Sequence, residues 1–107
     1  STYYQQMNKA PSFEGISTKT SLLSNDVEVV ADNPMHFDDV KHVVAVMYDS
    51  EKCSKVEEMT MTLNYDNTYI ATFKDVKKEF SNKSIYVYAV YENGFRQLVE
   101  KFTHDSK

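Results

Sequence analysis

The chain is poor in the residues that many catalytic and nucleotide-binding folds require. It has two glycines and two prolines. A loop that cradles phosphate needs several glycines so that backbone amides can close on the anion, and no G-x-G-x-x-G or Walker pattern is present, which makes nucleotide enzymes poor candidates. Cys53 is the single cysteine, so there is no intrachain disulfide. That suits a cytosolic protein, or a secreted module that does not rely on disulfides. There is no Trp, and any aromatic platform must be built from Tyr or Phe. No apolar run approaches the roughly 20 residues of a membrane span, and no charged-then-apolar signal segment opens the chain. Lys and Arg form no cluster and the net charge is −4. This argues against a nucleic-acid partner, whose phosphates call for a basic surface, and against an anionic membrane.

What is present fits one globular domain. The 107 residues are 41% hydrophobic and 26% charged, ordinary values for a folded module and wrong for a disordered chain. The opening Ser1 points to a processed protein or an excised fragment. We read residues 1–15, polar apart from Tyr3, Tyr4, Met7 and Phe13, as a leader or linker with room for an edge strand. Residues 16–107 read as a single domain.

Within it, short β-like runs alternate with turn signals. Weak alternation covers Ile16–Leu23, and Asp26–Ala31 is a strand stopped by Asp32-Asn33-Pro34. Val40–Tyr48 is β-branched with apolar residues on both faces, the pattern of a central strand. Val56–Leu63 alternates, with Met59, Met61 and Leu63 sharing one face. Tyr65-Asp66-Asn67 is a turn before Thr68–Phe73, whose Tyr69, Ala71 and Phe73 share a face. Lys74–Phe80 is charged, with room for one helical turn. Ser84–Tyr91 is the strongest strand, and Glu92-Asn93-Gly94 a hairpin signal in which Asn-Gly suits a type I′ turn. Phe95–Thr103 reads as the returning strand, although Phe95, Leu98, Val99 and Phe102 also carry helical spacing. About seven strands without a long helix between them predict an all-β, antiparallel, Ig-like β-sandwich.

Four runs also carry a resemblance: Val44–Tyr48 (VAVMY), Glu57–Met61 (EEMTM), Asp66–Phe73 (DNTYIATF) and Ser84–Gly94 (SIYVYAVYENG). In this order they resemble the Ig-like "early set" (E-set) sandwiches, including many carbohydrate-binding modules, over a little more than half the chain. The resemblance implies a non-catalytic module of a larger protein. Starch-binding members usually set Trp against the sugar, and in a chain without Trp the resemblance implies that Tyr would substitute as the platform.

The tyrosines are the first candidate site. If Ile85, Val87 and Ala89 face the core, Tyr86 and Tyr88 stand on the opposite face, where Tyr48 of a neighbouring strand joins them. Such rings suit sugar stacking or protein contact, or simply cover their own sheet as cross-strand pairs. The run Asp32-Asn33-Pro34-Met35-His36-Phe37-Asp38-Asp39, with His42 beyond, offers oxygens for calcium and imidazoles for zinc. It lacks an EF-hand register and a His-x₃-His pair, and reads as a solvated acidic loop. Cys53 could pair with His42, His36 or His104, but reads as a lone loop thiol. Lys74, Lys77, Lys78 and Lys83 alternate with Asp75 and Glu79 as a solvated loop. Adjacent carboxylates (Asp38 with Asp39, Glu57 with Glu58) point apart on a strand and make no acid–base pair. Asn82-Lys83-Ser84 is a glycosylation sequon, which matters only on a eukaryotic secretory route.

The sequence therefore points to a non-enzymatic binding or spacer module of an extracellular or surface protein, with no cofactor and no metal. Its partner is a glycan held on Tyr86, Tyr88 and Tyr48, or another protein or domain. A glycan site should be a groove and a protein site a broader apolar patch.

Overall fold

A strand with alternating apolar residues needs a partner on one face only, and two such sheets satisfy each other by stacking. The computed structural model of the chain describes residues 9–103 and has this architecture. Tyr3, Tyr4, Met7 and His104 lie outside the described residues. The strands are β1 (Ser12–Thr20), β2 (Val27–Met35), β3 (Val40–Asp49), β4 (Ser54–Thr60), β5 (Thr62–Leu63), β6 (Thr68–Phe73), β7 (Lys83–Tyr91) and β8 (Arg96–Thr103). A 3₁₀ segment, η1 (Lys77–Asn82), precedes β7. One sheet has the order β1-β2-β6-β5 and the other β4-β3-β7-β8. Every pairing is antiparallel. This is the strand order of an immunoglobulin-type Greek key.

The core lies between the central strands of the two sheets. Val27 and Val29 of β2 and Phe73 of β6 come from one side. Val43 and Met47 of β3 meet them from the other, with Ile85 and Val87 of β7, and all seven are fully buried. Phe80 of η1 is buried at one end of the sandwich. At the other end Phe13, Phe37 and Tyr69 pack as three rings, with Phe13–Phe37 centroids at 5.0 Å and Phe37–Tyr69 at 5.9 Å. Burial raises the Tyr69 phenol above its usual pKa.

Several details differ from the sequence reading, each for a physical reason. The run Val56–Leu63 divides in two because the chain changes sheets at Met61, whose amide donates to the Val43 carbonyl at 2.7 Å. Met61 stays buried, but Leu63, past the crossing, is 53% exposed and leaves the apolar face expected for it. This crossing makes eight strands where about seven were expected. Asp32-Asn33-Pro34 does not end β2. The partner β6 has already finished at the Asp32–Thr68 pair, so Pro34, opposite Phe13 on β1, removes no rung to β6. Strand β1 starts at Ser12, inside the segment read as leader, and takes the edge position left open there.

The last segment is a strand. On β8, opposite Val87 and Tyr88, Val99 is the extra residue of a bulge, which leaves Leu98 outward while Val99 and Phe102 pack on the core. That extra residue is what produced the helical spacing. The β7–β8 turn is not type I′. Of its residues only Gly94 has positive φ, at 86°. The amide of Gly94 donates to the Tyr91 carbonyl and that of Tyr91 to the Phe95 carbonyl, both at 2.9 Å. These bonds define a three-residue loop in which a left-handed residue follows a type I turn.

Candidate functional site

Two surfaces come forward. The first is the outer face of the β4-β3-β7-β8 sheet. As the alternation predicts, Ile85, Val87 and Ala89 are buried in the core, and Tyr86 and Tyr88 take the other face. Tyr48 joins them, its ring 5.9 Å from that of Tyr86 in an edge-on arrangement. The rings are half-buried and do not stand free. Lys101 lies 5.4 Å over the Tyr86 ring and Arg96 5.9 Å over Tyr88.

Arg96, on the edge strand β8, reaches Glu58 on the opposite edge strand β4. The pair is bidentate, with Nη1 to Oε1 at 3.0 Å and Nη2 to Oε2 at 2.6 Å. This contact holds the Glu58 carboxyl below its usual pKa and raises the Arg96 guanidinium. The ion pair thus passes over the two central strands. Val44 and Val46, which pair with Tyr88 and Tyr86, point away from the core yet are buried. Rings and strap together are their cover. Beside the rings, Leu98 and Val56 are 49% and 47% exposed, so the face is broad and partly apolar.

The second surface is a groove of about 820 Å³ at the end of the sandwich that holds the Phe13–Phe37–Tyr69 rings. Three stretches far apart in sequence build it: Lys9 to Pro11 ahead of β1, His36 to Asp39 between β2 and β3, and Tyr91 to Gln97 across the β7–β8 turn. Phe95 stacks on Tyr91 with centroids 6.0 Å apart and planes at 27°. Phe95 is itself 60% exposed. The Tyr91 hydroxyl donates to Gln97 Oε1 at 3.1 Å. Asn93 Oδ1 accepts the Phe95 amide at 3.0 Å and fixes the turn that carries the ring. Asp38, Asp39 and Glu92 bring carboxylates, and Lys41 holds Glu92 at 2.7 Å.

Sequence reasoning found the acidic loop and the hairpin separately but did not bring them together. The available signal was Phe95, a large apolar side chain placed directly after Asn93-Gly94, where turns are usually polar.

Among the described residues the remaining candidates are not assembled into sites. Among the described residues no group of three His, Cys, Asp or Glu side chains is arranged to hold a metal. His36 and His42 are both exposed. Cys53 is an exposed thiol whose Sγ lies 3.7 Å from the Ser50 carbonyl. Asp49 and Lys83 pair at 3.4 Å beside a small pocket that includes Lys78. No helix of the described residues is long and apolar enough to cross a membrane.

No family model matches this chain, and no curated protein matches it in sequence. Solved structures do match in fold. The catalytic module of the multi-modular glycogen-degrading pneumococcal virulence factor SpuA aligns with a TM-score of 0.57 at 13% identity, over 78% of this chain and 12% of its own. The Group B Streptococcus pullulanase SAP, in complex with maltotetraose, aligns with a TM-score of 0.57 at 10% identity, over 78% of this chain and 10% of its own. The chain spans about a tenth of the length of these proteins. At such identity the likeness is one of fold, and the chain is an all-β sandwich of two antiparallel four-stranded sheets.

Proposed function

We propose that this chain is a non-catalytic glycan-binding module of a larger extracellular or surface protein, and that the groove at Phe95 is where the sugar docks. The observation that carries the reading is the placement of Phe95. Full burial of such a ring is worth about 1.5–3 kcal/mol, and Phe95, 60% exposed, forgoes part of that. It is nevertheless held in place, stacked on Tyr91 at the mouth of a groove bearing amide and carboxylate side chains. A flat apolar face with planar polar groups at its rim suits a pyranose, which has apolar C–H faces and equatorial hydroxyls. Two glycan-degrading enzymes contain the same fold as a small part of their chains, which supports a carbohydrate-associated role. One of them is multi-modular, which supports placing this module beside other domains.

The outer face of the second sheet favours a second reading, contact with a protein or a neighbouring domain. Tyr48, Tyr86 and Tyr88 lie there with the exposed Leu98 and Val56. That face is broad and bridged by an ion pair, which suits a protein surface better than a sugar ring.

An NMR amide-shift titration against soluble α- and β-glucans separates the two readings. Saturable shifts centred on Tyr91, Phe95 and Gln97 are expected. Phe95→Ala should weaken binding roughly tenfold, the equivalent of about 1.4 kcal/mol, while Tyr88→Ala leaves it intact. Loss of binding in Tyr88→Ala alone would move the site to the tyrosine face. Silence toward every glycan would leave the protein-contact reading in front.

A further inference from the structure

The groove's side chains also bear on which sugars it would take, an inference that rests on the glycan reading above. Three carboxylates line the groove, those of Asp38, Asp39 and Glu92. Glu92 is engaged by Lys41 from outside the lining. Asp38 and Asp39 make no ion pair among the described residues. Against them the lining sets one ammonium group, Lys9, and the imidazole of His36. An ionised carboxylate only accepts hydrogen bonds. It therefore suits a ligand rich in donors, such as sugar hydroxyls or a sugar ammonium, and opposes one that brings carboxylates or sulfates of its own.

The stacked pair Tyr91 and Phe95 makes the place where a ring would sit, and the carboxylates set the sign of what may be attached to it. Phe95 adds to this bias, since the face of an aromatic ring attracts cations. We infer that the groove selects glycans by charge, with amine-bearing chains bound best, uncharged chains next, and acidic chains weakest.

The test uses matched oligosaccharides that differ only in the group each ring carries: a free amine, no charge, or a carboxylate. They are prepared in both α-1,4 and β-1,4 series and titrated into the whole chain by NMR at low ionic strength. Affinity should fall in the order amine, neutral, acid. Exposed pairs are worth under about 1 kcal/mol each, so the step from amine to acid should be about tenfold and should shrink in high salt. Asp38→Asn combined with Asp39→Asn should flatten the order and leave neutral binding in place. Phe95→Ala should weaken every member, and the amine series somewhat more than the rest.

Equal affinity for neutral and acidic chains, or a preference for acids, would overturn the charge selection and leave the glycan reading standing. Binding of the amine series that survives Phe95→Ala unchanged would be charge attraction without the groove, and would also overturn it. No shift with any member of either series would overturn the selection and the glycan reading together. Phe95, Asp38 and Asp39 are exposed, and an unchanged unfolding midpoint in each variant verifies that the fold is retained.

Discussion

Asp49 closes β3 with a single carboxylate. Its Oδ1 accepts the backbone amides of Glu51 and Lys52, each at 3.0 Å, and its Oδ2 lies 3.4 Å from Lys83 Nζ. The amide of Lys52 is the largest cause of a lowered pKa, and the charge of Lys83 adds to it. Glu58 is lowered too, chiefly by Arg96. A carboxyl whose folded pKa lies below its unfolded value contributes stability that is present above the unfolded pKa. That stability is lost as the pH falls through the folded pKa. Both residues therefore stabilise the chain at neutral pH and stop doing so on acidification below the ordinary carboxylate range. In urea titrations at a series of pH values, Asp49→Asn and Glu58→Gln should each lower stability at pH 7 and reduce the loss seen on acidification. For Glu58, half of a partly exposed pair, the change at pH 7 should stay under about 1 kcal/mol. An acid limb as steep as that of the parent chain in both variants would mean that other carboxyls govern it.

At the scale of the element, two hairpins use one solution with different residues. In the β5–β6 turn the amide of Asn67 donates to the Asn64 carbonyl at 3.0 Å, and that of Asn64 to the Thr68 carbonyl at 2.8 Å. This repeats the pattern of the β7–β8 turn, with Asn67 at φ 66° in the place of Gly94 at φ 86°. A Cβ at Gly94 would meet nothing within 4 Å, so the cost of adding one is conformational. Gly94→Ala should cost about 1–2 kcal/mol, the usual left-handed penalty. Gly94→Asn should cost clearly less, because Asn tolerates that region. Urea midpoints would show it, and equal losses for the two variants would remove backbone strain as the cause.

These turns also mark how far the sequence was readable. Their positions were plain from Tyr65-Asp66-Asn67 and Glu92-Asn93-Gly94, but the turn type depends on which residue takes positive φ, and Asn-Gly is compatible with more than one choice. The central strands were legible because Val40–Tyr48 is β-branched and apolar on both faces and Ser84–Tyr91 combines β-branched and aromatic residues. The crossing at Met61 was hidden because alternation runs through it without a break. The tyrosine face was legible from one strand's alternation, whereas its strap of Arg96 and Glu58 joins residues 38 positions apart. The groove was illegible for the same reason, since chain reversal and not spacing brings Phe95 to the acidic loop.

For the whole molecule the decisive feature is that the two sheets share one core. Phe73 comes from the β1-β2-β6-β5 sheet and Met47 from the other, and both are completely buried in one cluster. The chain also ties the sheets together covalently and locally, through Met61 on one side and through η1, where the Lys77 amide donates to the Asn25 carbonyl at 2.8 Å. Neither sheet keeps a buried face without its partner, so unfolding should be a single transition. Removing a buried Phe typically costs about 3–5 kcal/mol, against a total near 5–15 kcal/mol for a domain of this kind. Phe73→Ala should accordingly lose a large share of the stability, and the loss should reach the far sheet as fully as the near one. Far-UV circular dichroism reports both sheets. Tyrosine fluorescence draws on Tyr48, Tyr86, Tyr88 and Tyr91 of the sheet opposite Phe73, with Tyr69 on Phe73's own strand. The two signals should give the same lowered urea midpoint in Phe73→Ala. If the tyrosine signal kept the parent midpoint while the dichroism fell, the β4-β3-β7-β8 sheet would be stable alone, and the shared core would not be what holds the sandwich together.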